Sequence, residues 1–230
     1  MPPLENILVI ENNKKYIETA KEFFSRENIK VDFVENYEDA LKIMKNYNAL
    51  MIDLFIPENK KERMGKIGKK FMEEFKNKLI EFSQVYKLIN EMKPLNLFKL
   101  MKKAKNNEEL KSLIKEQPML LLHKKTREKY FKGNYSLQFL EDEEKKNHAP
   151  LGILIAKKAE EMEIPYIYVS DVGHVSGHGL LGPGIWAVYY SDIMNYNKFE
   201  KIFIDTKYER KDSLEFWKNA YEILKKIAEN

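Results

Sequence analysis

Ile7-Leu8-Val9-Ile10 and Ala49-Leu50-Met51-Ile52 are runs without a polar member, and each stops at a carboxylate, Glu11 after the first and Asp53 after the second. Side chains of a strand alternate between two faces, so a strand can be apolar throughout only when both faces are covered. That is the situation of a parallel sheet with helices on either side. Tyr166-Ile167-Tyr168-Val169, ended by Ser170-Asp171, and Lys201-Ile202-Phe203-Ile204, apolar after its lysine, are read as further strands, while Val31 and Phe33 alternate as a shorter one.

Between these runs the period changes from two to about 3.6. Ile17, Ala20, Phe23 and Phe24 form a stripe within a helix predicted over 14–26, and Tyr37, Ala40, Leu41 and Met44 form a second. Leu151, Leu154, Ile155, Ala159 and Met162 mark a third, and a closing helix is expected from Ser213 to Ala228. Strands alternating with helices through short connections imply an α/β domain with a doubly wound, five-stranded parallel sheet. Such sheets bind ligands beyond the carboxyl ends of their strands.

The rhythm breaks after Pro57. Met64, Ile67, Phe71, Phe75, Leu79, Phe82, Tyr86 and Ile89 recur every three or four residues up to Pro94, the pattern of one long amphipathic helix. Shorter helices are expected from Leu95 to Lys105 and from Glu108 to Glu116, the latter behind the capping pair Asn106-Asn107. The α/β pattern resumes near Pro150. An interruption of this length is an inserted all-helical subdomain rather than a loop. The expected organisation is therefore an α/β domain made of 1–58 and 148–230, with a helical insertion at 59–147.

Composition narrows the chemistry. The 230 residues contain no cysteine, which excludes disulfides, thiolate metal sites and a cysteine nucleophile, and fits a cytoplasmic setting. The amino-terminal apolar stretch lacks a preceding basic region and is far too short to span a membrane, so no signal peptide and no membrane partner are expected. Lys and Arg number 40 against 36 Asp and Glu, so the whole chain is not strongly polyanion-seeking. Residues 99 to 132 hold eleven Lys or Arg against four Glu, which is read first as a solvated helical face and only secondarily as a nucleic-acid surface. The apolar stripe of the insertion must be buried, either by its neighbouring helices or by a second copy, so a homodimer through the insertion is one expectation.

Three strand ends present polar groups that a parallel sheet would bring to one edge: Glu11-Asn12, Asp53 and Ser170. Two carboxylates there suit a hard divalent cation with oxygen ligands. A phosphoryl group on Asp53 would be offset by such a cation, and the Ser170 hydroxyl could donate to one of its oxygens. Read without that company, Asp53 is a carboxylate capping the following turn and Ser170 a turn residue.

The segments VIENN, IDLFIP and PYIYVSD resemble, in order and placement, the acidic pocket, the phosphoacceptor segment and the hydroxyl-bearing fourth strand of response-regulator receiver domains, which have a flavodoxin-like fold. The resemblance covers residues 4 to 58 and about 148 to 230. It implies Asp53 as phosphoacceptor, Glu11 and the Phe55 carbonyl as Mg2+ ligands, Ser170 as the switch hydroxyl, and a kinase or output protein as partner. Asn12 stands where the family usually has a second acid and would be a weaker ligand than a carboxylate. The fifth strand of a receiver ends in a lysine that pairs with the phosphoryl group; here Ile204 is followed by Asp205, and Lys207 is the nearest substitute. These departures keep open a pseudo-receiver that acts as an interaction module without phosphorylation.

His174 and His178 lie four apart in a glycine-rich stretch running from Gly173 to Gly184. They are the donors of a lesser alternative, a small metal-dependent hydrolase using Asp53, although no HExxH glutamate lies between them and the glycines favour a loop over the pocket. Otherwise the chain reads as a signalling module rather than an enzyme.

Overall fold

A computed structural model describes residues 4, 6–74, 76–77, 144–170, 202–204 and 210–229, with 202–204 described as backbone only. The predicted helices over 95–116, the basic run 99–132, His174, His178, Asp205, Lys207 and the loop 173–184 lie outside these residues, as does most of the segment assigned to the insertion.

Strands β1 (Ile7–Ile10), β2 (Val31–Val34), β3 (Ala49–Ile52) and β4 (Tyr166–Ser170) pair in parallel, β1 with both β2 and β3, and β3 with β4. The backbone of Ile202–Ile204, β5, runs parallel beside β4 with Ile204 opposite Ser170, and the order across the sheet is β2-β1-β3-β4-β5. The order reverses between β1 and β3, the place where an open α/β sheet parts its crossover connections to opposite faces and opens a crevice.

The helices form where the sequence supplies both a start and a stripe. Helix α1 (Lys14–Arg26) opens at Asn13, whose side chain accepts from Lys15 N at 3.0 Å, and it closes before Asn28, a residue with φ of 57°. Helix α2 (Tyr37–Ile43) opens at Asn36, which accepts from Asp39 N at 2.9 Å, and carries Glu38 and Asp39 in its first turn, where the helix dipole favours negative charge. It tightens into a 3₁₀ turn over Met44–Asn46. Helix α3 (Gly152–Glu161) leads into β4, and α4 (Leu214–Glu229) closes the domain behind Ser213.

Both sheet faces are buried, as the apolar runs require. Leu8, Ile10, Leu50, Ile52, Tyr166 and Tyr168 point to one side, where Ala40, Met44, Ile153, Ile155 and Ala159 cover them. Val9, Met51, Ile167 and Val169 point to the other, against Phe23 and Phe24 of α1 and Phe216, Trp217, Ala220 and Leu224 of α4. The rings of Phe24 and Trp217 meet edge to face at 6.5 Å, which fixes α1 beside α4.

Two expected core residues are exposed. Leu41 is 37% exposed because the buried stripe of α2 is narrow: Ala40 is its one fully covered residue, with Tyr37 and Ile43 partly covered and Met44 following in the 3₁₀ turn. Ile67 is 39% exposed, while Met72, outside the predicted stripe, is fully buried. Helical residues begin at 66, so Met64 packs from the preceding turn and Phe71 with Met72 sets the inward side of the helix. Met64, Phe71 and Met72 join the same core as β1 and β3, so the chain beyond residue 58 begins by packing against the sheet.

Candidate functional site

Glu11 and Asp53 each follow a central strand and continue its backbone pairing: Glu11 N donates to Val34 O at 2.9 Å and Asp53 N to Ile10 O at 2.8 Å. The structure thus brings the two carboxylates to one rim, flanking the point where strand order reverses. Both are nearly inaccessible, Glu11 at 1% and Asp53 at 6%.

The cation between them is Lys211, a residue the sequence analysis did not single out. Its Nζ lies 2.6 Å from Glu11 Oε2 and 2.7 Å from Asp53 Oδ1, and donates to Val169 O at 3.0 Å. The side chain is 1% exposed. The contact with Asp53 is a hydrogen-bonded ion pair; that with Glu11 is a close charge contact outside hydrogen-bonding angles. Glu11 Oε1 accepts from Asn13 N at 2.7 Å. The ring of Tyr16, on α1, has its centroid 5.3 Å from the ammonium and adds a favourable quadrupole.

Lys211 is aimed by the turn that starts α4. Ser213 N and Oγ both donate to Arg210 O, Ser213 Oγ accepts from Phe216 N at 3.3 Å, and buried Trp217 donates its Nε1–H to Lys211 O at 2.9 Å. Lys15 pairs with Asp212, tying the start of α1 to the same turn. The sequence signal was a lysine two residues before a capping serine. Nothing in local spacing distinguished it from Lys207, whose place lies outside the described residues.

Burial pushes the Glu11 carboxyl up from 4.5 to about 7, and the Asp53 charge adds to this; Lys211 and the Asn13 N–H pull it back. Ser170 ends β4 fully buried, its Oγ without a hydrogen-bond partner among the described residues. Asn12 and Phe55 are half-buried, and Asn12 faces a separate cleft.

That cleft, of about 690 Å³, lies beside the carboxylate pair and shares only Asn12 with its immediate sequence. Of the four cations that line it, Lys42 stands at 2.8 Å and Lys60 at 3.4 Å from Asp39, Arg63 lies against His148, and Lys61 completes the set. None of the cleft's lining residues belongs to the Glu11–Asp53–Lys211 triad.

Magnesium is the cation that the resemblance implies for these carboxylates. A dication bridging Glu11 Oε2 and Asp53 Oδ1 would take the oxygens that Lys211 holds, and would stand within contact distance of its ammonium. With Asn13 N–H on the other Glu11 oxygen, the arrangement does not fit a metal bridging those two oxygens. Among the described residues, no group of three or more His, Asp or Glu side chains is gathered as a metal site. No helix among them is long and apolar enough to cross a membrane. Comparison with protein-family models, curated proteins and solved structures found no match to this chain.

Proposed function

We propose that the chain is a receiver-like signalling module: a flavodoxin-like five-stranded domain carrying a helical insertion, with Asp53 as its phosphoacceptor and a kinase or output protein as partner. The observation that carries this reading is the ammonium of Lys211 at 2.7 Å from Asp53 Oδ1, beside Glu11, at the carboxyl rim of the sheet. In the proposed step a carboxylate oxygen of Asp53 attacks the phosphorus of an acyl phosphate, the phosphorus–oxygen bond to the acyl group breaks, and a carboxylate leaves. Lys211 offsets the added charge, and the Ser170 hydroxyl donates to a phosphoryl oxygen.

The new charge would displace contacts at the rim. Asp53 is continuous with the neck of the insertion: Gly152 N donates to Leu54 O at 3.1 Å, and α3 starts against the Asp53 backbone. A change at Asp53 is thereby passed to the segments leading into and out of the insertion.

Incubation with acetyl phosphate, followed by intact mass measurement, tests the reading. A single phosphoryl adduct absent from Asp53→Asn is expected; no adduct, or one that survives the substitution, overturns it. A second reading, an interaction module that is never phosphorylated, is favoured by the 6% exposure and existing ion pair of Asp53. It predicts the opposite result.

A further inference from the structure

We infer that Lys211 is the built-in cation of the Glu11–Asp53 pair and that this pair, as the described residues build it, excludes divalent metal, whether or not Asp53 accepts a phosphoryl group. Two carboxylates brought together at under 10% exposure need a counter-charge when both are ionised, because neither water nor mobile ions can supply one at that depth. Metal proteins meet this need with a dication; here an ammonium stands at 2.6 and 2.7 Å from one oxygen of each carboxylate.

The ammonium is not on a swinging arm. Its backbone is held by the Trp217 indole, its Nζ donates to the Val169 carbonyl, and the whole side chain is 1% exposed. A dication could bind the same oxygens only if Lys211 moved away or tolerated a double positive charge at contact distance. Lys211 would also have to give up the Val169 carbonyl and the Tyr16 ring. Among the described residues, the further side-chain donors at this turn, Asn12 and Asn13, are neutral amides, the first lining the neighbouring cleft and the second capping α1.

The pair is thus neutralised from within, and Lys211 decides the exclusion of hard dications. Its removal should uncover a two-carboxylate site with affinity for hard or borderline dications.

Manganese titration of the full chain at pH 8, by calorimetry and by the shift in melting temperature, tests this. The wild type is expected to show no binding that depends on Glu11 up to millimolar metal, and no stabilisation. Lys211→Met is expected to bind at least about tenfold more tightly, to melt higher with metal, and to lose both effects in the double variant Glu11→Gln/Lys211→Met. Wild-type binding that Glu11→Gln or Asp53→Asn abolishes overturns the inference, as does a folded Lys211→Met that binds no better than wild type. Wild-type binding unaffected by either single substitution lies elsewhere on the chain and agrees with a metal-free rim. Should circular dichroism show Lys211→Met unfolded, the wild type compared with Glu11→Gln decides alone. The adduct assay with acetyl phosphate is read separately, so a failure of phosphorylation and a failure of metal exclusion are distinguishable.

Discussion

Replacing Gly152 with alanine should be among the most damaging single-methyl additions available in this domain. A Cβ at Gly152 would stand 2.2 Å from the Asp53 carbonyl oxygen, and 3.1 Å from both that carbonyl's carbon and Ile52 Cγ2. Ordinary contact begins at 3.4 Å, so the first turn of α3 must retreat from β3 by about 1 Å. The obstacle is backbone at the end of a fully buried strand, which cannot rotate out of the way. Overfilling of this kind costs about 1–3 kcal/mol. The retreat also stretches the 3.1 Å hydrogen bond from Gly152 N to Leu54 O, worth about 1 kcal/mol. A loss of about 2–4 kcal/mol is expected, read as a fall in the urea midpoint at constant slope. Gly68→Ala is the control. Its Cβ would come within 2.8 Å of Met64 Cγ and 3.3 Å of Ala149 Cβ and Glu58 Oε2, all side-chain atoms rather than backbone, and alanine favours the helix by about 0.5–1 kcal/mol, so the loss should be smaller than at Gly152 by about 1 kcal/mol or more. A Gly152→Ala protein within about 0.5 kcal/mol of wild type, a change usual for neutral surface sites, would refute the reasoning.

Two further outcomes follow from the same turn and rim. The folded state holds the Glu11 proton more tightly than the unfolded chain, because burial raises its pKa from 4.5 to about 7. Its contribution is complete below pH 4.5 and is lost as pH rises through about 7, an amount of about 3 kcal/mol. Glu11→Gln imitates the neutral form, so urea unfolding from pH 4.5 to 8 should move the stability difference towards the variant by up to that amount; a difference flat with pH would refute it. Ser213→Ala removes the acceptor for Phe216 N at the start of α4 and should cost about 1 kcal/mol in urea unfolding, whereas no loss would mean that water serves the turn equally well.

The local elements were legible because their causes are local. Ile7 to Ile10 and Ala49 to Ile52 could be apolar throughout only between two helical layers, and Ile17, Ala20, Phe23 and Phe24 face inward as their spacing requires. The meeting of Glu11 with Asp53 follows from two acids standing at the carboxyl ends of strands that turn out to be neighbours. Leu41 and Ile67 were misjudged because a periodic stripe says which side of a helix can be buried, not how wide the covering surface is.

Lys211 belongs to another order of information. It lies 158 residues from Asp53, among many lysines of the same local character, and its selection depends on which strands lie side by side and where α4 begins. Periodicity, caps and strand-ending acids are properties of a few adjacent residues, and the chain alone determined them. A buried charge chooses its partner by position in space and by exclusion of water, and those are properties only the assembled sheet and its two helical layers possess.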